Sequence, residues 1–308
     1  MDTIASEPTV TADPSAAALD SALPEIRKAK RNGWALLIVT GAIAGLAAIM
    51  LQNLPEEGLQ WGFMVLFLAG FLMFGIVSWV RKQHERAVMP IIARAFALDY
   101  EKTPARFYQS LPKNFIPQGG RQSVDDMMSG KVADRHFRFA ECKTETGGKS
   151  SSVLFKGVVV ELQSRGNMPD FIIASEKETK GFLFFKGRVQ VDEFSRVYSA
   201  TGHDGQIYGL WSTSSDAAGL AGLRAFMEQI IAIGPRVLGE SSLYSLVSTG
   251  PTYYVSLRHA RDLFKIGGMF ADDAKVMSDI RNAAAEFGHP IKLVSEILRA
   301  EEALTAAR

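Results

Sequence analysis

The sequence predicts an α+β protein in which an N-terminal transmembrane helical hairpin precedes a mostly antiparallel sheet domain with C-terminal helices. Two uncharged apolar stretches near the N-terminus, residues 33–54 and 59–80, are each long enough for a helix to cross a hydrocarbon core. From residue 131 onward the apolar residues alternate with polar ones, as in half-buried strands. Segments with helical periodicity follow the strands, and that order of elements indicates the α+β class.

Composition narrows the classes of function. The chain has 308 residues, is 47% apolar and carries a formal net charge of +1. A protein that coats nucleic acid needs a basic domain to displace counterions from phosphates, so we expect no nucleic-acid partner. Cys142 is the single cysteine, which rules out an intrachain disulfide and fits a reducing compartment.

Residues 1–26 are predicted to be a disordered acidic tail. They are rich in Ala, Ser, Thr and Pro, include several acidic residues and contain no basic residue. A secretory signal would need a basic start followed by an apolar stretch, and neither is present. We therefore expect the tail to remain in the mature protein.

Residues 27–83 are predicted to form the transmembrane hairpin, with helices at about 33–54 and 59–80. Trp34, Trp61 and Trp79 stand at the ends of the apolar stretches, where aromatic rings favour the level of the lipid headgroups. The short Pro55-Glu-Glu-Gly58 segment between the stretches makes the two helices antiparallel neighbours. The alternative is a pair of buried helices in a soluble protein, which rarely lack charge over such lengths.

The charges that flank the hairpin predict its orientation. Basic residues precede the first helix and follow the second, whereas the loop between them is acidic. The positive-inside rule then places both termini in the cytoplasm, with Arg81 and Lys82 at the membrane interface beside the tryptophans.

Small residues suggest how the helices pack. Gly41 and Gly45 form a GxxxG pattern, which lets a neighbouring backbone approach closely. We expect its partner to be the second helix, through Ala69 and Gly70, with a homo-oligomer seam as the alternative.

Residues 84–130 are predicted to be an amphipathic helix, from His84 to Tyr100, followed by an irregular connector. Apolar residues recur at helical spacing in the first part. Pro90 either lies near the start of this helix or kinks it. Later prolines and the Gly119-Gly120 pair indicate the connector.

Residues 131–308 are predicted to form a cytoplasmic α+β domain. A β-hairpin is expected first, with its turn at residues 146–149. Further strands are expected at 171–174, 182–185, 189–191, 195–199, 206–211, 242–248 and 253–257. Helices are expected after Ser215-Asp216, at 271–287 and at 291–304, the last two being separated by Gly288-His289-Pro290.

A family resemblance rests on the Phe137-to-Glu145 segment, the Val153-Leu-Phe-Lys-Gly157 segment and the later Phe194-Ser-Arg-Val-Tyr-Ser199 segment. Together these resemble the bacterial domain of unknown function 3137 family, whose similar members place two transmembrane helices ahead of the domain. The most specific part is the hairpin that contains Glu141, Phe155, Lys156 and Gly157. The resemblance implies this architecture and a bacterial inner-membrane location, and it implies no activity.

Candidate residues for chemistry are sparse, and we expect no catalytic residues, no metal site and no cofactor. The five histidines are scattered, and none has a second His or Cys at a spacing that suggests zinc. Glu141 and Glu161 could face each other as the paired carboxylates of a hydrolase, although a solvated face is the more common reason for two such residues. Gly157 predicts a bulge or a close backbone approach.

A cluster of basic and aromatic residues suggests a surface for anionic lipid or a partner, with a core strand pair as the alternative. The cluster comprises Lys180, Phe182, Phe184, Phe185, Lys186 and Arg188.

The sequence therefore favours a non-enzymatic, membrane-anchored module that binds lipids or an envelope protein. The alternative is an enzyme of unrecognised type that acts on a membrane-proximal substrate. A channel or transporter is disfavoured because neither apolar stretch carries an ionisable residue.

Overall fold

The structure, a computed structural model, confirms the predicted α+β class. It describes residues 16–51, 59–113, 115–117, 119–148, 150–166, 168–179, 189, 191–259, 266 and 268–306. The chain divides into two compact units, one formed by residues 14–95 and 263–284 and the other containing residues 96–262 and 285–308.

The first unit contains three N-terminal helices, α1 (Ala16–Asp20), α2 (Leu23–Leu51) and α3 (Leu59–Ala95). Residues 16–26, predicted to be disordered, are thus largely helical. Leu19, Ala22 and Ile26 recur at helical spacing and are all buried, so their stripe outweighs the disorder-prone composition. Pro24 stands in the first turn of α2, where its missing N–H is not needed.

Helix α3 continues through the predicted boundary at residue 80 and absorbs the first part of the predicted amphipathic helix. Val80, His84, Val88 and Ile92 form one fully buried stripe across that boundary, which favours a single helix. Pro90 lies inside α3. The helix ends at Ala95, before the predicted end at Tyr100, because Ala97 adopts a left-handed φ of 58°.

The second unit is built on a nine-stranded antiparallel sheet in the order β1-β2-β3-β4-β9-β8-β5-β7-β6. The strands are β1 (Asp99–Glu101), β2 (Arg121–Val132), β3 (Arg135–Glu145), β4 (Val153–Gln163), β5 (Phe171–Ser175), β6 (Ser195–Thr201), β7 (Ile207–Ser212), β8 (Ser242–Thr249) and β9 (Thr252–Arg258). The predicted β3–β4 hairpin and five of the later strands are confirmed. Residues 189 and 191 are not in a strand, contrary to prediction. The strand predicted at 182–185 lies outside the described residues.

Strands β1 and β2 occupy much of the predicted connector, so the sheet begins about thirty residues before the predicted boundary at 131. Asp126 explains why the alternation in β2 was missed. Its φ of 54° marks an irregularity between Asp125 and Met128, where the pairing with β3 shifts. The Asp126 carboxylate accepts hydrogen bonds from Tyr100 Oη at 2.6 Å and from Lys102 Nζ at 2.9 Å, which joins β2 to the segment around β1.

The helices after the first unit's hairpin are α4 (Phe107–Ser110), α5 (Glu176–Thr179), α6 (Ala217–Ile231), α7 (Pro235–Leu238) and α8 (Asp273–Ala306). The predicted start of α6 is confirmed, since the Asp216 side chain accepts the Gly219 N–H at 2.8 Å. The predicted break at 288–290 is wrong, because α8 runs through Pro290. Its buried positions keep helical spacing across the proline, at Ile280, Ala284, Phe287, Ile291, Val294 and Leu298.

Both faces of the sheet are covered. On one face, Phe171 packs edge-on against Phe226 of α6 at 5.6 Å between ring centroids, and Phe139 contacts Phe287 of α8 at 6.0 Å. The opposite face carries a separate apolar cluster that includes Phe107, Phe115, Ala140, Cys142, Phe155, Val159, Ile172, Trp211 and Tyr244. The second unit therefore has its own hydrophobic core on each side of the sheet.

A buried carboxylate attaches the C-terminal end of α8 to the loop after β4. Glu301 is fully buried and accepts the backbone N–H of Arg165 at 2.8 Å and that of Gly166 at 3.2 Å. Burial raises the pKa of the neighbouring Tyr253 hydroxyl, and the negative charge of Glu301 adds to that shift. The loop N–H groups give the carboxylate the hydrogen bonds that a buried charge requires.

Gly157 is required for the close approach of β4 to β9, and replacing it should weaken the sheet. An added Cβ would collide with the Leu257 carbonyl oxygen, which belongs to the neighbouring backbone. We expect Gly157→Ala to lower the free energy of unfolding by about 2 kcal/mol or more, as overpacking does. Thermal unfolding of the detergent-solubilised protein, followed by circular dichroism, measures this loss.

The matched control is Gly166→Ala, because an added Cβ there meets no atom of the described residues within 4 Å. Equal melting temperatures for the two variants would contradict the role assigned to Gly157.

Candidate membrane-contact site

Residues 34–49 of α2 and 64–79 of α3 carry many exposed apolar side chains. Among the described residues, the large exposed hydrophobic side chains on these helices are Trp34, Leu36, Ile38, Val39, Ile43, Leu46, Ile49, Met64, Val65, Leu66, Phe67, Leu68, Phe71, Leu72, Phe74 and Trp79. Both helices are long and apolar enough to span a membrane. A core helix of a soluble protein would bury such residues, and a patch of this extent is typical of a surface that contacts lipid or another protein.

The exposed surface stops at Trp34 on α2 and at Trp79 on α3, which are 46% and 41% exposed. The adjacent residues Gly33 and Val80 are both buried. An added Cβ on Gly33 would collide with the Val80 side chain, so the helices approach closely where their exposed apolar surface ends. Sequence reasoning missed Gly33, because only its pairing with Val80 reveals its role.

The GxxxG residues and their expected partners differ in their surroundings. An added Cβ on Gly41 would lie 3.7 Å from Met73 Cε, an ordinary contact with α3. Added Cβ atoms on Gly45 and Gly70 would meet nothing within 4 Å among the described residues. Ala69 is half-buried. Gly41 thus faces the second helix, whereas Gly45 and Gly70 lie on open surface, and the homo-oligomer seam stays a prediction.

Basic side chains lie immediately beyond the two tryptophans. Lys28, Arg31 and Lys82 are exposed, and Arg81 pairs with Glu85 at 3.2 Å one turn further along α3. Exposed cations at this level can contact anionic lipid headgroups. Trp61 lies within α3, and its side chain is outside the part of the chain that the structure describes.

The two carboxylates considered for a hydrolase do not face each other. Glu161 lies directly opposite Arg138 and pairs with it at 2.7 Å, whereas Glu141 lies opposite Val158. Residues 138 and 141 of β3 differ by an odd number, so their side chains lie on opposite faces of the sheet. The Arg138 guanidinium also donates to Ser110 Oγ at 2.8 Å and stacks over the Phe107 ring.

The Arg138–Glu161 pair borders an open depression of about 360 Å³, which His136, Gln163 and Thr252 also line. In that depression the positive and negative groups already neutralise each other. It therefore offers no uncompensated charge from this pair to a ligand.

The residues of the hairpin on which the family resemblance rests contribute to packing and hydrogen bonding within the sheet. Phe155 is buried and packs edge-on against Tyr244 at 5.3 Å between ring centroids. Lys156 is half-buried, and its carbonyl oxygen accepts the His259 N–H at 3.2 Å. Lys156 and Gly157 thus join β4 to β9 and its end, and Phe155 packs against β8.

The other candidate site residues are either dispersed in the structure or lie outside the residues that the structure describes. Among the residues that the structure describes, no three His, Cys, Asp or Glu side chains are grouped so that they could hold a metal. The basic and aromatic cluster of Lys180, Phe182, Phe184, Phe185, Lys186 and Arg188 lies wholly outside the described residues.

Comparisons with known proteins place the chain near no established family. No protein-family model matches it, and no curated protein matches it. Among solved structures, it is similar to the mycobacterial trehalose monomycolate transport factor A, TtfA, with a TM-score of 0.37 and 10% sequence identity over 67% of this chain and 93% of that one. A likeness at this level carries no functional argument.

Cys142 should be inert in the folded protein. It is fully buried in β3, and burial raises the pKa of its thiol, with the negative charges of Glu141 and Asp125 adding to the effect. Because the thiolate is the nucleophile, we expect Cys142 to react with a maleimide at least about a hundredfold more slowly than an exposed cysteine, even near the ordinary thiol pKa.

The measurement is the labelling rate of the native protein, with His136→Cys in a Cys142→Ala background as the exposed reference on the same strand. Fast labelling of native Cys142 would contradict the assignment. Labelling should become fast in denaturant.

Proposed function

We propose that this chain is a non-enzymatic module anchored in the bacterial inner membrane by the α2–α3 hairpin, with both termini and the sheet domain in the cytoplasm. There the sheet domain binds a lipid or protein partner of the cell envelope. The observation that carries the proposal is the exposed apolar surface of α2 and α3, which ends at Trp34 and Trp79. Lipid is the solvent that makes such a surface stable, and tryptophan favours its boundary.

The orientation is supported by charge. Exposed Lys28, Arg31 and Lys82 lie on the side of the tryptophans from which the chain continues to the sheet domain. Basic residues at a membrane flank are retained in the cytoplasm, so the sheet domain is assigned to that side. The same architecture is the one implied by the resemblance to the bacterial domain of unknown function 3137 family, to which we assign the chain as part of this proposal.

We prefer a binding role to catalysis because the pair of carboxylates that suggested a hydrolase does not come together in the structure. Glu141 and Glu161 lie on opposite faces of the sheet, and Glu161 is paired with Arg138. General acid–base work by two carboxylates requires both to reach one substrate.

Cysteine accessibility tests the anchor and its orientation. In a Cys142→Ala background, Glu56→Cys between the two helices should react with a membrane-impermeant maleimide in intact spheroplasts. His136→Cys in β3 should react only after the membrane is permeabilised, because the proposal places the sheet in the cytoplasm.

The two positions serve as controls for each other, since each should be labelled from one side alone. Labelling of His136→Cys from outside would reverse the orientation. Recovery of the protein in the soluble fraction would overturn the anchor.

Affinity purification from crosslinked native membranes tests the binding role. Full-length protein is compared with a version that lacks residues 1–80. We expect one stoichiometric partner to be retained by both, because the sheet domain has its own core and surface. Failure of both to retain a partner would argue against the binding role and favour a substrate screen.

A further inference from the structure

A loop before α8 lies against the end of the apolar surface on α2. Met269 is buried, and its Cε atom would lie 3.5 Å from a Cβ added to Gly33. The next residue, Phe270, is 68% exposed, and its ring meets Trp34 edge-on at 5.6 Å between ring centroids. The two neighbouring hydrophobic side chains therefore point to different surroundings, Met269 to protein and Phe270 outward.

Polar contacts to the residues that follow Phe270 hold this loop in place. The Lys30 ammonium donates to the Ala271 carbonyl oxygen, and Lys30 is itself largely buried. Arg27 pairs with Asp273 at 2.9 Å. Because residues 27, 30 and 34 lie on one stripe of α2, these contacts fix Phe270 at the height of Trp34.

Polar contacts also fix the start of α8. The Asp272 side chain accepts the Lys275 N–H at 2.7 Å, which is an N-cap interaction, and Asp273 lies in the first turn beside Arg27. Phe270 is thus exposed on an anchored loop.

Phe270 extends the hairpin surface. Among the described residues, the other large exposed hydrophobic side chains outside α2 and α3 are Val153 and Ile207, both on strands of the sheet. Phe270 instead adjoins Trp34, where the apolar surface meets the exposed cations Lys28 and Arg31. An aromatic ring at a boundary between apolar surface and cations fits the headgroup level of an anionic membrane.

We propose that residues 268–271 form a further membrane contact, in which Phe270 inserts at the headgroup level of the leaflet that Trp34 and Trp79 also reach. This inference rests on the proposed function, since it requires the hairpin to span a bilayer. The ligand is the lipid surface itself. The contact places the N-terminus of α8 at the bilayer surface beside α2.

Depth-dependent quenching tests the contact in full-length protein. Single cysteines in a Cys142→Ala background are labelled with nitrobenzoxadiazole and reconstituted into nanodiscs of phosphatidylethanolamine and phosphatidylglycerol. Nitroxide lipids carry the quencher either at the headgroup or near the bilayer centre. The reporter beside Phe270 is Gly268→Cys, because an added Cβ there meets none of the described residues within 4 Å.

Two further positions set the scale. Phe71→Cys lies in the exposed apolar part of α3 and should be quenched best by the central nitroxide. His136→Cys on β3 should be quenched by neither. The label at Gly268→Cys should be quenched by the headgroup nitroxide at least about twofold more than by the central one, as for an interfacial residue.

A second substitution in the Gly268→Cys background isolates the role of Phe270. Phe270→Ser should reduce the headgroup quenching by about twofold or more, whereas Phe270→Trp should preserve it, because tryptophan also favours the interface. The Phe71→Cys label in a Phe270→Ser protein must keep its central quenching, which shows that the hairpin is still inserted.

The outcomes separate the two proposals. An unquenched label at Gly268→Cys with a centrally quenched label at Phe71→Cys overturns the loop contact and leaves the anchor intact. Headgroup quenching that is unchanged by Phe270→Ser overturns the role of Phe270. A label at Phe71→Cys that no lipid quencher reaches overturns the membrane anchor itself.

Discussion

Removing the apolar surface of α2 and α3 from water is the constraint on which the first unit depends. Phe67, Phe71 and Phe74 are each about 70% exposed, and burying such a side chain is worth about 1.5–3 kcal/mol. Among the described residues, protein atoms leave these side chains exposed, and under the proposed function lipid supplies their burial. Below Trp34 and Trp79 the same two helices bury Ile26, Val80 and their neighbours instead. Under the proposed function, the two helices contact lipid on one side of Trp34 and Trp79 and protein on the other. The change occurs where Gly33 lies against the Val80 side chain.

Local sequence patterns predicted those helices and strands whose tertiary packing agrees with the local signal. The uncharged stretches, the β3–β4 hairpin and the capped start of α6 each carry a complete local signal. The failures lie where tertiary packing opposes the local signal. Pro290 would end an isolated helix, yet it lies within a buried apolar stripe that continues on both sides. In β2, the left-handed Asp126 shifts the pairing, so no simple alternation marks the strand.

The site was predictable only where its residues are close in sequence. Trp34, Trp79 and the basic flanks follow from position along the apolar stretches. Gly33 could not be chosen over Gly41 and Gly45 without knowing that Val80 faces it. Whether Glu141 and Glu161 lie on the same face of the sheet depends on the strand register. A shift of one residue would move one of these side chains to the other face. Phe270 had no local signal at all, because the contacts that place it join residues as far apart as Arg27 and Asp273.

The pairing of charges within the sheet domain bears on where recognition can occur. Arg138 pairs with Glu161, Arg258 with Glu178 at 2.7 Å, and Lys102 with Asp126, each pair including a largely buried or half-buried carboxylate. Removing one partner would leave the other charge poorly solvated, so these groups are committed to the fold. A partner must then be recognised through exposed side chains or backbone. Because the sheet unit buries apolar residues on both faces by itself, such surface residues can change without loss of the core. Under the proposed function, recognition can therefore be varied independently of the membrane anchor.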